Sequence, residues 1–127
     1  MSWQAYADSI IATRHANYSV IASCEQIGGY GVWAVAGNIQ PTPQEIEVLV
    51  KRFETPNNGE KLIIGGKKFM ATSCNSDFLT GRDNANGIAV AKSNKVLVVG
   101  LSGEGQNQGT CLDKVIQIVN GLKAGNY

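Results

Sequence analysis

The residues best suited to chemistry, histidine and cysteine, occur at spacings that fit no common catalytic or metal site. His15 is the only histidine, and no cysteine or carboxylate lies at a metal-ligand spacing from it. The three cysteines, Cys24, Cys74 and Cys111, are far apart and include no Cys-x-x-Cys pair. We therefore expect no metal, no disulfide framework and no Cys–His nucleophile, and we predict that His15 lies on the surface.

The glycine-rich segment Gly103–Gly109 invites comparison with a phosphate-binding loop. That motif ends in Gly-Lys-Ser or Gly-Lys-Thr, whereas this segment continues into Thr110 without a lysine. The ten acidic residues are scattered and form no pair that would indicate glycosidase-type chemistry. We therefore predict a binding protein that is not an enzyme and carries no cofactor.

The aromatic residues form a pattern that could be a binding surface. Trp3 and Tyr6 lie one helical turn apart near the chain start, where fraying makes large rings costly to hold unless they pack on something. Trp33 lies within a predicted strand, and Tyr127 is the last residue. Two interpretations stay open. The rings are core or edge packing, or they line a shallow groove that binds proline-rich segments in the polyproline II conformation.

The charge is balanced overall but uneven along the chain. Eleven basic and ten acidic residues give a formal net charge of +1, which argues against a globally basic nucleic-acid-binding protein. Residues 1–60 carry three basic and six acidic side chains, and residues 61–127 carry eight basic and four acidic ones. The second half could therefore offer a cationic surface to an acidic partner, although an ordinary solvated face has the same composition.

Length and composition indicate one soluble domain. With 127 residues, 43% of them hydrophobic and 17% charged, the chain can bury a core and is too apolar to be disordered. No apolar run approaches the roughly 18 residues of a membrane span, and the start lacks the pattern of a signal peptide. Together with the unpaired cysteines, these features predict a single domain, residues 1–127, in the cytoplasm.

Hydrophobic periodicity predicts a helix and two strands at the start of the chain. Residues 2–13 carry apolar side chains at helical spacing, which is typical of an amphipathic helix. Residues 18–23 and 31–36 are apolar, β-branched or aromatic runs, and a glycine turn at residues 26–30 separates them. We expect an antiparallel pair of strands after the first helix.

A second helix has a strong start signal in the sequence. Thr42 is placed as its N-cap, Pro43 at its first position, and Glu45 completes a capping box with Thr42. The apolar stripe after these residues extends the helix to about Glu54. Residues 56–59, which contain proline and glycine, then break the chain.

The second half is predicted as an antiparallel meander followed by a helix. The strands cover residues 61–64, 68–74, 77–80, 87–92 and 96–101. After a loop, we predict Thr110 as the N-cap of the last helix, with Asp113 as its capping partner. The order of elements is that of an α+β protein, in which the terminal helices must cover sheet surface.

Several segments resemble the profilin family over essentially the whole chain. The opening Ser2–Asp8 resembles the family's N-terminal signature, and Val32–Ala34 resembles its second-strand motif. Gly65–Lys67, Lys92–Lys95 and Gly109-Thr110 fall where similar elements fall in profilins. The resemblance implies an antiparallel sheet of about six to seven strands, with the N- and C-terminal helices together on one face and a further helix on the other.

The same resemblance implies a cytoplasmic, cytoskeleton-associated protein that regulates actin polymerisation. It would bind monomeric actin and proline-rich segments of actin regulators such as formins. It would also bind anionic phosphoinositides. It would promote nucleotide exchange on actin without catalysing a reaction of its own.

The resemblance also maps functional surfaces onto this sequence. The poly-proline groove maps to Trp3, Tyr6, Trp33 and Tyr127. The actin-binding surface maps to Lys67, Arg82, Lys92 and Lys114. The candidate residues for phosphoinositide binding are Arg82, Lys92 and Lys95. Gly121 stands where profilins usually carry a tyrosine or histidine in the last helix, which predicts a groove with one wall missing.

Two rival functions use the same kind of domain without actin binding. One is a membrane-surface module that binds phosphoinositides through its basic residues, for which a steep loss of vesicle binding with salt is expected. The other is a scaffold of similar topology that binds small GTPases. The Trp3–Tyr6 pair argues against the scaffold, because a scaffold has no need of terminal aromatic residues at helical spacing.

Overall fold

The structure is a computed structural model that describes residues 2–25, 30–55 and 61–127. Its helices are α1 (Trp3–Ile11), α2 (Pro43–Arg52) and α3 (Gln108–Ala124). Its strands are β1 (Tyr18–Ser23), β2 (Val32–Ala36), β3 (Lys61–Ile64), β4 (Lys67–Cys74), β5 (Phe78–Asp83), β6 (Asn86–Lys92) and β7 (Val96–Ser102). The predicted break at residues 56–59 and most of the predicted glycine turn lie outside the described residues.

Within the described part of the chain, the strands form one antiparallel sheet of seven strands in the order β2-β1-β7-β6-β5-β4-β3. β2 and β3 are its two edges. The register shifts between Ile21 and Ala22 on β1 and between Ala71 and Ser73 on β4. Such irregularities bend a strand and increase its twist. The predicted α+β fold with an antiparallel sheet is confirmed.

Each face of the sheet carries its own hydrophobic cluster. On one face, Ile10 of α1 and Val115 of α3 pack with Val98 of β7. On the other face, Ile46 of α2 packs with Val99, the next residue of the same strand. Because side chains alternate along a strand, one central strand supplies both clusters. The predicted placement of the terminal helices on one face and the middle helix on the other is confirmed.

The two terminal helices cover only part of their face. Helix α1 lies mainly over β1 and β2, and α3 lies mainly over β6 and β7. The same face of β3 and β4 therefore has no described helix packed over it, and β5 lies at the border, where Gln108 of α3 bonds Gly81 and Arg82. This uncovered part of the sheet is a natural candidate for a surface that meets a partner.

The N-terminus of α2 is also a structural link to the β3–β4 turn. Thr42 and Glu45 form the predicted capping box, with Glu45 N–H donating to Thr42 Oγ1 at 3.2 Å and Thr42 N–H donating to Glu45 Oε1 at 2.9 Å. The Glu45 carboxylate also accepts the backbone N–H groups of Gly65 and Gly66, at 2.9 and 3.0 Å. Burial would raise the pKa of Glu45, but these hydrogen bonds outweigh it and hold the pKa below its ordinary value.

Helix α3 begins earlier than the sequence predicted, so the assignment of Thr110 as N-cap is wrong. The N-cap is Asn107, whose Oδ1 accepts the backbone N–H of Thr110 at 3.1 Å. The backbone N–H of Asn107 in turn donates to His15 Nδ1 at 2.9 Å, which ties the start of α3 to the end of α1. Asparagine ranks above threonine as an N-cap residue, and Thr110 lies inside the helix.

Strand β5 begins later and ends later than predicted. The side-chain oxygen of Asn75 accepts the backbone N–H groups of Asp77 and Phe78, at 2.7 and 2.9 Å. This turn postpones the strand to Phe78, and pairing with β6 then continues to Asp83. Among the described helices, none is both long enough and apolar enough to cross a membrane.

Candidate functional site

Four aromatic rings lie together where α1 meets β2 and the C-terminus. The ring centroid of Trp3 is 5.8 Å from that of Tyr6, 4.9 Å from that of Trp33 and 5.4 Å from that of Tyr127. Trp3 is the centre of this group, which we call the aromatic cluster. The structure therefore brings together the four residues predicted from the sequence for a proline-binding groove.

The aromatic cluster is a surface feature supported by the core. Trp33 and Tyr127 are 41% and 44% exposed, whereas Trp3 and Tyr6 are half-buried and pack against the hydrophobic cluster under α1 and α3. The rings thus have a rigid base and a solvent-facing side. Their exposure excludes core packing for Trp33 and Tyr127, and it leaves edge packing and a binding groove as the two interpretations.

Hydrogen bonds hold in place the elements that carry these rings. Ser2 caps α1, its Oγ accepting the backbone N–H of Ala5 at 3.1 Å. Gln4 Nε2 donates to the carbonyl oxygen of Val35 at 2.9 Å and so ties α1 to β2. The backbone N–H of Tyr127 donates to the carbonyl oxygen of Leu122 at 2.9 Å. The carbonyl oxygen of Tyr127 accepts the N–H of Lys95 at 2.7 Å.

Beside Tyr6 the aromatic cluster continues into a small hollow on α3. The hollow has a volume of about 190 Å³ and is lined by Tyr6, Ser9, Lys114, Gln117, Ile118 and Gly121. Gly121 is exposed, and a Cβ atom built on it would meet no heavy atom within 4 Å. We call this feature the Gly121 hollow. It lies where the sequence predicted a missing wall.

Arg82 lies on the face of the sheet that α1 and α3 share. Its Nη1 donates to Gln108 Oε1 at 2.9 Å, and Gln108 is the first residue of α3. Gln108 Nε2 also donates to the carbonyl oxygens of Gly81 and Ile88, both at 2.8 Å. Arg82 is therefore held beside the uncovered part of the sheet, and it remains exposed there.

The other residues predicted for the actin surface do not join Arg82. Lys67 places its Nζ atom 4.8 Å from the Tyr18 ring centroid, and Lys92 places its Nζ atom 5.7 Å from the ring centroid of Phe53. Phe53 belongs to the hydrophobic cluster under α2, and Tyr18 packs against that cluster. Lys114 lines the Gly121 hollow. The four predicted positions are thus divided among separate surfaces.

The residues predicted for phosphoinositide binding are also divided. Lys92 pairs with Leu97 at one end of β6, and Lys95 lies in the turn that follows. Arg82 pairs with Gly87 near the opposite end of β6. Five residues of strand separate these ends, which is about 17 Å. Lys92 and Lys95 share one end of the sheet, and Arg82 lies at the other.

Strand register places three residues that the sequence analysis missed next to Arg82. Met70 pairs with Arg82 on β5 and with Lys61 on β3, and Lys68 lies two residues before Met70 on the same face. Lys61 and Lys68 are exposed, and Met70 is 56% exposed. We call these four residues the β3–β5 surface. The signal was present as alternation, because Leu62, Ile64 and Phe69 point into the opposite hydrophobic cluster.

Burial and hydrogen bonding define the environments of Cys24, Cys111 and His15. Burial raises the pKa of Cys111 to about 12. Burial also raises the pKa of Cys24, against the opposing effect of the nearby Lys92 ammonium. His15 is half-buried and accepts a hydrogen bond from Asn107. In residues 2–25, 30–55 and 61–127, no group of three or more His, Cys, Asp or Glu side chains could hold a metal ion.

Comparison with known proteins identifies the family of this chain. The Profilin family model matches residues 1–127. The profilin of Saccharomyces cerevisiae is 34% identical over 103 residues, which is 78% of this chain and 78% of the yeast protein. The chain belongs to the profilin family.

Solved profilin structures have the same fold. Profilin II of Acanthamoeba castellanii superimposes with a TM-score of 0.88 at 19% identity, covering 99% of this chain and 100% of the other. Mouse profilin IIa, in complex with a double repeat from the FH1 domain of mDia1, gives a TM-score of 0.77 at 21% identity, with 100% of both chains covered. The fold expected from the profilin resemblance is therefore confirmed.

Proposed function

We propose that this profilin binds monomeric actin and proline-rich segments of actin regulators such as formins, and so regulates actin polymerisation. It works in the cytoplasm with the cytoskeleton, promotes nucleotide exchange on actin and performs no catalysis of its own. Membership of the profilin family supports actin as the partner. The complex of mouse profilin IIa with an FH1 repeat supports proline-rich segments as the second ligand.

The single observation that carries the proposal is the aromatic cluster. Three other ring centroids lie 4.9 to 5.8 Å from the ring centroid of Trp3. Two of these rings, Trp33 and Tyr127, are more than two-fifths exposed. Proline rings stack on flat aromatic faces, and a polyproline II segment loses little conformational entropy on binding because it is already extended. The indole N–H and phenol groups can donate to its exposed carbonyl oxygens.

A proline peptide provides a direct test through tryptophan fluorescence. Adding decaproline to the wild-type chain should change the emission of Trp3 and Trp33 saturably, because stacking displaces water from the indoles. Trp33→Ala should abolish the response while Trp3 remains as the reporter. Met70→Ala removes an exposed apolar side chain from the β3–β5 surface, away from the aromatic cluster, and is the matched control. No response through millimolar peptide in folded wild-type protein refutes the groove.

For actin, the proposed contact is the β3–β5 surface. Two lysines and Arg82 surround the exposed Met70 on a part of the sheet that α1 and α3 leave uncovered. A cationic rim around an apolar centre suits an acidic partner, since charge guides association and the apolar contact supplies affinity. Lys67, Lys92 and Lys114 lie elsewhere, so we expect them to contribute less than Arg82.

Charge reversal tests this surface. Arg82→Glu should weaken binding to monomeric actin. The affinity of the wild-type chain for actin should fall as the salt concentration rises. Lys95→Glu makes the same change of charge on an exposed residue at the opposite end of β6, and it should leave actin binding nearly unchanged. Equal losses in the two variants would mean that only net charge matters, and the β3–β5 surface would then be wrong.

Phosphoinositide binding remains a separate prediction with less geometric support. Its three predicted residues do not converge, because Arg82 lies at the opposite end of β6 from Lys92 and Lys95. If lipid binding is local, vesicles containing phosphatidylinositol bisphosphate should lose affinity for Lys92→Gln and Lys95→Gln and keep it for Arg82→Gln. A uniform loss in all three variants would indicate diffuse attraction to anionic lipid.

A further inference from the structure

The Gly121 hollow opens directly onto the aromatic cluster. Tyr6 belongs to both features, and its ring centroid is 5.8 Å from that of Trp3. A polyproline II segment advances about 3.1 Å per residue, so this distance corresponds to roughly two residues of a ligand lying across the rings. A segment bound to the aromatic cluster that extends over Tyr6 therefore reaches the hollow.

The lining of the hollow suits a flat apolar side chain. One wall is the half-buried ring of Tyr6, and the floor includes the buried Ile118. Lys114, which is half-buried, and Gln117, which is exposed, also line the hollow. A second ring placed here could stack on Tyr6 and lie near the Lys114 cation, and both contacts favour aromatic groups. Proline is too small to fill this space from the backbone.

Residue 121 contributes no side chain to the hollow. Lys114, Gln117 and Gly121 follow one another at helical spacing along the same side of α3. Any larger side chain at position 121 would project into open space on this side, since nothing lies within 4 Å of the Cβ position. The ring that the chain does not provide can therefore come from the ligand.

We propose that this profilin selects proline-rich segments that carry one aromatic residue, whose ring enters the Gly121 hollow and stacks on Tyr6. This inference rests on the proposed function, because the hollow extends the same groove. It specifies the ligand further. A lysine at the same place in the ligand should be disfavoured by the positive charge of Lys114.

The test is a scan of decaproline by isothermal titration calorimetry, with one phenylalanine introduced at each position in turn. In the wild-type chain, phenylalanine at one or two neighbouring positions should tighten binding about threefold to tenfold over decaproline. Lysine at those positions should bind more weakly than proline. Gly121→Tyr fills the hollow and should remove the preference for phenylalanine, whereas Gly121→Ala should keep most of it.

The possible outcomes separate this inference from the proposed function. If decaproline binds and no phenylalanine position is tighter, the inference is wrong and the proline groove stands. A preference for phenylalanine that persists in Gly121→Tyr also overturns it, since the ring must then bind elsewhere. If neither decaproline nor any variant peptide binds, the proposed groove fails, and the inference fails with it.

Discussion

At the scale of single residues, we predict that Gly121 affects both the stability of the fold and the binding of proline-rich peptides. It lies in the last turns of α3 with an exposed backbone and with space around its Cβ position. Glycine costs about 1 kcal/mol relative to alanine in a helix. The same missing side chain removes a stacking surface next to Tyr6. Replacing Gly121 should therefore change two properties that can be measured separately.

Gly121→Tyr should tighten decaproline binding and raise the melting temperature. An added aromatic wall contributes on the order of 0.5–1.5 kcal/mol, which is a several-fold to about tenfold gain in affinity. The helix gains roughly 0.3–0.5 kcal/mol from the loss of glycine. Gly121→Ala is the control, because it should stabilise the fold by up to about 1 kcal/mol without tightening the peptide. A tyrosine variant that improves neither property would place Gly121 outside the groove.

Glu45 is a second residue with a defined physical role. Its carboxylate accepts backbone N–H groups from the start of α2 and from the β3–β4 turn, which holds its pKa below the ordinary value. A lowered pKa in the folded state means that ionised Glu45 stabilises the fold above its unfolded pKa. This contribution is lost as the pH falls through the folded pKa.

Glu45→Gln should lower the free energy of unfolding at neutral pH. The difference from wild type should stay constant between about pH 6 and 8, and it should shrink as the pH falls below the ordinary glutamate pKa and through the lowered pKa of folded Glu45. Urea unfolding at several pH values measures this difference. Glu47→Gln, which alters a carboxylate paired with exposed Lys51 one turn along, is the control and should have a small effect at every pH. A pH-independent loss in Glu45→Gln would contradict the assigned role.

At the scale of elements, the start of α3 contacts both the segment after α1 and strand β5. Asn107 accepts a hydrogen bond from Thr110 and donates one to His15, so the cap also ties the segment between α1 and β1 to the start of α3. The next residue, Gln108, bonds Arg82 on β5. A single turn of chain thus connects the helix that supports the aromatic cluster with the strand that carries Arg82.

Asn107→Ala should destabilise the protein by about 0.5–2 kcal/mol, since it removes a side-chain N-cap. Thr110→Ala should change stability by a few tenths of a kcal/mol at most, because Thr110 is exposed and lies inside the helix. Chemical denaturation of both variants compares the two assignments of the cap directly. A larger loss for Thr110→Ala than for Asn107→Ala would restore the cap predicted from the sequence.

Local patterns predicted most of the elements because their signals lie within a few residues. The helical stripe of residues 2–13, the capping box at Thr42 and the alternation in the meander all depend on neighbours in sequence. The cap of α3 was missed because Asn107 and Thr110 are both good caps. The hydrogen bond that Asn107 N–H donates to His15, which is distant in sequence, was not predictable from local patterns.

The division of the basic residues required strand register. Lys67 and Lys68 are adjacent in sequence but belong to opposite faces of β4, so a count of positive charge could not assign them to one surface. The aromatic cluster was easier to predict, because its residues come from the family resemblance and from helical spacing. Met70 and Lys61 were overlooked since only pairing through β4 brings them to Arg82.

At the scale of the whole molecule, the two proposed binding surfaces lie at different positions across the width of the sheet. The aromatic cluster lies at the β2 edge, and Arg82 is on β5, four strands away in the sheet. At roughly 4.8 Å between strands, this is about 19 Å. The two surfaces do not share a residue. We therefore predict that actin and a proline-rich segment bind at the same time.

The most direct test of this central claim is retention of monomeric actin on immobilised poly-proline. The wild-type chain should hold actin on the resin, and Trp33→Ala should release both the chain and actin. Arg82→Glu combined with Met70→Glu should leave the chain on the resin and lose actin. Displacement of the wild-type chain from the resin by actin, or full retention of actin by the double variant, would contradict two independent surfaces.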